Sequence, residues 1–106
     1  MNISILKSIA DNFNDSVYVY NGDQIQSQYS RLKNAFSGIE KLQINYACKA
    51  LSNISILGLM NSMGTGLDTV SLQEVQLGIK AGFNPQKIIF TPNGVSMKEI
   101  EDVASL

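Results

Sequence analysis

Lys49 closes the run Asn45-Tyr46-Ala47-Cys48-Lys49-Ala50, a strand-like stretch followed by the helix-starting pair Ser52-Asn53. Strand alternation puts Asn45, Ala47 and Lys49 on one face and Ile44, Tyr46 and Cys48 on the other. In a barrel of parallel strands the apolar set would pack against helices. Ala47 and Lys49 would then point inward, with the amine at the carboxyl end of the strand, where barrel enzymes do their chemistry. Taken alone, a strand-end lysine is a solvated surface charge. Three further residues stand out downstream. Asp68 lies within the segment Gly66-Leu67-Asp68-Thr69-Val70, toward the end of a strand, where a carboxylate can cap the helix that follows. Glu74 completes a capping box with Ser71. Asn93, in Pro92-Asn93-Gly94, reads as a turn residue that could also face the carboxyl end of its strand.

Several other chemistries are excluded within these 106 residues. There is no histidine and a single cysteine, Cys48, so neither an internal disulfide nor a Cys-His or Ser-His pair can be assembled, and no transition-metal site of the usual kind. Cys48 reads as a packed residue on the outer face of its strand. A formal net charge of -1 gives no basic surface for nucleic acid or anionic lipid. Polar residues from Asn2 to Asn12 interrupt any apolar run of signal-peptide or membrane-span length. The expectation is a globular cytoplasmic chain with neither partner. Gly64-Thr65-Gly66 precedes a strand rather than a helix, so it is a helix stop and not a phosphate loop.

The elements that must position Lys49 follow from periodicity. Ile3, Leu6, Ala10 and Phe13 share a helical face, and that helix is expected to end near Asn14-Asp15. Val17-Tyr18-Val19-Tyr20 predicts a short strand closed by Asn21-Gly22. Asp23 is the expected cap of a second helix, with Ile25, Tyr29, Leu32 and Phe36 as its buried stripe and Gly38 as its terminator. A strand over Gln43 to Lys49 comes next, then a helix from Ile54 to Met63 and a strand from Leu67 to Val70. Leu72, Val75 and Ile79 give the next helix an apolar face, and Gly82 ends it. After Asn84-Pro85 come a strand over Ile88 to Thr91 and a last helix capped by Ser96 with Glu99. Strand and helix alternating through short loops, with no hairpin signal, predict α/β architecture with a parallel sheet and right-handed crossovers. Periodicity alone leaves open a small open sheet or the first part of an eight-stranded barrel. A barrel of this kind needs roughly 250 residues, so in that case the chain is a fragment.

The run Tyr46-Ala47-Cys48-Lys49-Ala50 with Ser52-Asn53, the residues Asp68, Ser71 and Glu74, and the segments Lys80-Ala81-Gly82-Phe83, Ile88-Ile89-Phe90 and Pro92-Asn93-Gly94 resemble, in the same order, the pyridoxal-phosphate-dependent decarboxylases of the alanine-racemase-like barrel fold. The resemblance is nearest to the diaminopimelate decarboxylases and runs from about Val17 onward, with Leu51 standing where those enzymes more often have asparagine. It implies the amino-terminal part of a (β/α)8 TIM-like barrel. Residues 1–22 would join a separate β domain, and residues 23–106 would form the first βα units. Lys49 would be the catalytic residue and bind pyridoxal 5'-phosphate as an imine. That requires a neutral amine, a form held by roughly one lysine in a few thousand at pH 7 unless burial favours it. Asp68 would be the carboxylate near that lysine, able to pair with it when the cofactor is absent. Glu74 and Asn93 would support the cofactor. The substrate would be a small amino acid, meso-diaminopimelate, decarboxylated to L-lysine, and the complete protein would be a homodimer.

The resemblance also implies what these residues lack. A histidine stacked on the cofactor ring, a glycine-rich phosphate loop, a glutamate paired with the ring nitrogen, and residues of the β domain and of a partner subunit are all absent here, so activity from this chain alone is not expected. Other readings stay open at this point. They are a sibling decarboxylase acting on ornithine, arginine or carboxynorspermidine, a non-catalytic barrel protein that binds pyridoxal phosphate, and a plain α/β piece whose lysine is a surface charge.

Overall fold

A computed structural model describes residues 2–13 and 16–106. The helix α1 spans Ile3–Phe13, and its expected stop at Asn14-Asp15 lies outside the described residues. The next segment corrects an expectation, because Val17 to Tyr20 is not part of a strand. Its β-branched and aromatic residues suit a strand, but β-propensity is only a fit to a neighbouring strand. None of the three described strands takes it as a partner.

The helix α2 spans Gly22–Ala35 and is capped by Asn21, whose side chain accepts from the Gln24 N–H. Asp23, expected as the cap, sits inside the first turn. There its charge still complements the helix dipole. The helix ends at Ala35, three residues before the expected terminator Gly38, and the chain leaves it through a succession of turns. The stripe expected to be buried along α2 is half covered at Ile25 and Tyr29 and exposed at Leu32 and Phe36.

Three parallel strands follow, β1 (Asn45–Ala47), β2 (Gly66–Thr69) and β3 (Ile88–Phe90), in the order β1-β2-β3. Ala47 lies beside Asp68, and Asp68 beside Ile89. The crossovers are α3 (Ile54–Ser62) and α4 (Leu72–Lys80), and α5 (Met97–Ala104) follows β3. Asn53, Ser71 and Ser96 cap these helices with their side chains, as the capping patterns predict for the two serines. At the end of α4 the Phe83 N–H returns to the Gly78 carbonyl and the Gly82 N–H to that of Ile79. This Schellman closure requires the left-handed backbone of Gly82, with φ of 94°.

The core lies between the helices and one face of the sheet, where Cys48, Leu57, Met60, Leu67 and Phe83 are buried together. Two buried hydroxyls are satisfied within it. Thr65 donates to the Met60 carbonyl at 3.1 Å, and Thr69 to that of Ile89 at 2.9 Å. By alternation the other face carries Asn45, Ala47, Asp68 and Ile89. On that face Ile89 stays 47% exposed.

Candidate active site

Lys49 does not end the strand, as its sequence suggested. The strand stops at Ala47, and Cys48–Ala50 form a single 3₁₀ turn. Three interactions hold this turn in place. The Cys48 side chain is anchored in the core. The Leu51 N–H donates to the Cys48 carbonyl, and the Tyr46 hydroxyl donates to the Leu51 carbonyl, each at 3.1 Å. With Cys48 committed to the core, the two residues after it are pushed out, and Lys49 is exposed. Among the described residues its amine makes no ion pair or hydrogen bond.

Asp68 on β2 and Lys49 in the turn after β1 come to the same end of the sheet, but they do not pair. The Asp68 carboxylate instead accepts a hydrogen bond from the Thr91 hydroxyl at 2.7 Å. The expected Asp68–Lys49 pairing is therefore not made. Alternation from Ile89 puts Thr91 on the same face as Asp68, and a charge-assisted O–H donor competes well for a carboxylate there.

Glu74 behaves nearly as its capping box predicts. Its N–H is taken by the Ser71 hydroxyl at 3.2 Å, while its carboxylate reaches past the cap to the Val70 N–H at 2.7 Å. The carboxylate thereby fixes the loop between β2 and α4. The Cys48 thiol is pushed up by burial, and the negative charge of Glu74 pushes it the same way. The Tyr46 phenol is raised chiefly by burial, with smaller contributions from Cys48 and Tyr20. Glu99, expected to close a box of its own, takes the Ser96 hydroxyl on its N–H and sends its carboxylate toward the Leu72 N–H at 3.5 Å, joining the starts of α5 and α4. Asn93 is exposed in the loop after β3.

Lys49, Asp68, Glu74 and Asn93 thus all lie at the carboxyl ends of the three parallel strands, the end at which open α/β sheets and barrels place their ligands. The pyridoxal-binding domain of the pyridoxal-dependent decarboxylases matches residues 22–106. The chain belongs to that family. Its segment is 45% identical over 89 residues to diaminopimelate decarboxylase of Helicobacter pylori strain J99, covering 84% of this chain and 22% of that protein. It is 36% identical over 94 residues to the enzyme of Methanothermobacter thermautotrophicus, covering 88% and 22%. The crystal structure of Helicobacter pylori diaminopimelate decarboxylase complexed with L-lysine superposes with a TM-score of 0.79 at 37% identity, over 92% of this chain and 25% of that one. The lysine/ornithine decarboxylase of Vibrio vulnificus, complexed with cadaverine, superposes at 0.87 with 23% identity, covering 97% and 28%, and shares the fold. The chain spans about a fifth of the length of the curated relatives it matches. The parallel sheet is accordingly the start of the family's TIM barrel, and pyridoxal phosphate is the family's cofactor.

The residues present suit that cofactor. An aldehyde needs a primary amine that is reachable and not committed to a carboxylate, and Lys49 meets both conditions. Two contributors to this end of the sheet were not legible in the sequence. Tyr46 reads there as an outer-face aromatic, and its bond to Leu51 appears only once the chain turns at Cys48. Thr91 reads as a strand residue, and only the register of β3 against β2 shows that it meets Asp68.

Proposed function

We propose that this chain is the amino-terminal part of a pyridoxal-phosphate-dependent diaminopimelate decarboxylase, which removes one carboxylate of meso-diaminopimelate as carbon dioxide and yields L-lysine. The observation that carries the proposal is the uncommitted amine of Lys49 at the barrel end of β1, inside the segment matched to the pyridoxal-binding domain. Lys49 holds the cofactor covalently through that amine and must lose its proton to do so. Pyridoxal phosphate, when bound, supplies the electron sink for the carbanion left by decarboxylation. Asp68 brings a carboxylate to the same end of the sheet, where Thr91 donates to it, and Glu74 holds the loop between β2 and α4. Asn93 brings an amide to the same end from the loop after β3. Residues 1–22 belong with the β domain, and the complete protein works as a cytoplasmic homodimer on a free amino acid, with no nucleic-acid or membrane partner. Identity to the diaminopimelate enzymes over most of this chain supports that substrate over those of the sibling decarboxylases.

The test is to supply the complete protein and pyridoxal phosphate with meso-diaminopimelate, ornithine or arginine in turn. Carbon dioxide and L-lysine are expected from the first alone. Release from ornithine or arginine instead would overturn the substrate, and release from none would overturn the enzyme.

A further inference from the structure

The turn Cys48–Ala50 that carries Lys49 is anchored by packing at its first residue, since Cys48 is buried while Lys49 and Ala50 are exposed. A 3₁₀ turn has poorer hydrogen-bond geometry than an α-helix and is weak on its own. Its far end is set at Leu51, where the backbone becomes extended (φ -165°, ψ 109°) on the way to Asn53, the cap of α3. Leu51 is gripped twice. Its N–H donates to the Cys48 carbonyl, and its carbonyl accepts from the Tyr46 hydroxyl, each at 3.1 Å. Tyr46 is itself fixed, because it lies in β1 opposite Leu67 of β2 and packs against the buried core. The hydroxyl thus ties residue 46 of the strand to residue 51, with Lys49 between them. Burial chiefly, and Cys48 and Tyr20 to smaller extents, raise the phenol, so it stays protonated and remains a donor.

We propose that Tyr46 is a positioning residue whose hydroxyl holds the Lys49 turn closed and so fixes where the Lys49 amine meets the cofactor aldehyde. The inference rests on the reading that Lys49 holds pyridoxal phosphate. Tyr46 acts through the Leu51 carbonyl rather than on the cofactor. Capture of the aldehyde by the neutral amine forms one carbon–nitrogen double bond and releases one water. The rate of that step depends on how well the amine is held at the carbonyl carbon. Without the Tyr46 hydroxyl the ring still packs, but Leu51 keeps only its bond to Cys48 at this end, and the turn opens more often. A looser turn slows the covalent step and leaves the preceding non-covalent binding of the cofactor as it was.

The experiment uses the complete protein stripped of cofactor, unaltered and as Tyr46→Phe, which keeps the ring and removes the hydroxyl. Asn61→Ala is the control, because it deletes another bond from a side chain to a carbonyl, that of Asn61 to Gly82 at 3.0 Å where α3 and α4 end. Amide hydrogen exchange at Leu51 reads the turn before any cofactor is added. It is expected to quicken roughly three- to tenfold in Tyr46→Phe, the worth of one hydrogen bond, and to stay unchanged in Asn61→Ala. Pyridoxal phosphate is then added over a range of concentrations, trapped with borohydride at timed intervals, and the labelled Lys49 peptide quantified by mass spectrometry. In Tyr46→Phe the limiting rate of capture is expected to fall several-fold while the half-saturating concentration holds, and Asn61→Ala is expected to match the unaltered protein in both. Leu51 exchange or a limiting rate in Tyr46→Phe equal to that of the unaltered protein would overturn the inference while leaving Lys49 as the cofactor residue. An equal fall in Asn61→Ala would overturn it too, since it would mark a general loss of stability. No label at Lys49 in the unaltered protein would overturn both the inference and the reading beneath it.

Discussion

The Cys48 thiol sits beneath the Lys49 turn, buried and near the Glu74 carboxylate, and both circumstances favour its neutral form. Its folded pKa is raised, so its contribution to stability is fully present below the unfolded thiol value of about 8.5. The contribution is lost as pH rises from there toward the folded value, because the unfolded chain releases a proton that the folded chain keeps. Denaturant midpoints of the complete protein at pH 7 and pH 9.5 are expected to differ more than those of Cys48→Ala at the same two values. Equal differences would show that the thiol does not carry the effect. At this scale the sequence was partly legible. Cys48 was rightly placed in the packing, while Lys49 was singled out from its strand and its neighbours and stands as a proposal. The Asp68–Lys49 pairing was expected wrongly, because a competing donor twenty-three residues downstream leaves no trace in local spacing.

Gly66 opens β2 where three chain segments converge. A side chain there would collide with the Asn45 side chain, and its Cβ would lie 2.9 Å from the Lys87 carbonyl oxygen, a backbone atom that cannot step aside. Gly66→Ala is expected to separate β2 from its neighbours and to destabilise the complete protein by about 1–3 kcal/mol, read as a lowered denaturant midpoint. A midpoint equal to that of the unaltered protein would show that the strands give way freely. Element types and order were largely legible, because capping boxes, apolar periodicity and the glycine after α4 are local signals that agree with one another. Two failures share a cause. Val17 to Tyr20 has the composition of a strand but pairs with no strand among the described residues, and the strand through Lys49 is cut short because the core takes Cys48 and the chain turns to let it in. Strands depend on neighbours that a one-dimensional pattern does not contain.

A compact domain of this length would have a radius of gyration of about 13 Å, whereas this chain has 16.6 Å and extends over 50 × 40 × 22 Å. The outer edges of β1 and β3 are unpaired among the described residues, and Ile3, Phe13, Tyr18 and Ile89 are exposed. Unpaired parallel edges beside bare apolar surface favour association. Expressed alone, the 106 residues are expected to run by size-exclusion chromatography with light scattering as species heavier than the 11.6 kDa monomer. A stable monomer that unfolds cooperatively would contradict this. On the proposed reading, the remaining strands of a barrel would pair with the same edges and close a mouth around Lys49. The account stands or falls on that amine. Incubating the complete protein with pyridoxal phosphate, reducing with borohydride and mapping the modified peptide by mass spectrometry tests it most directly. The predicted result is a single modified residue, Lys49, and none in Lys49→Ala. Modification of another lysine, or of no residue at all, would contradict it.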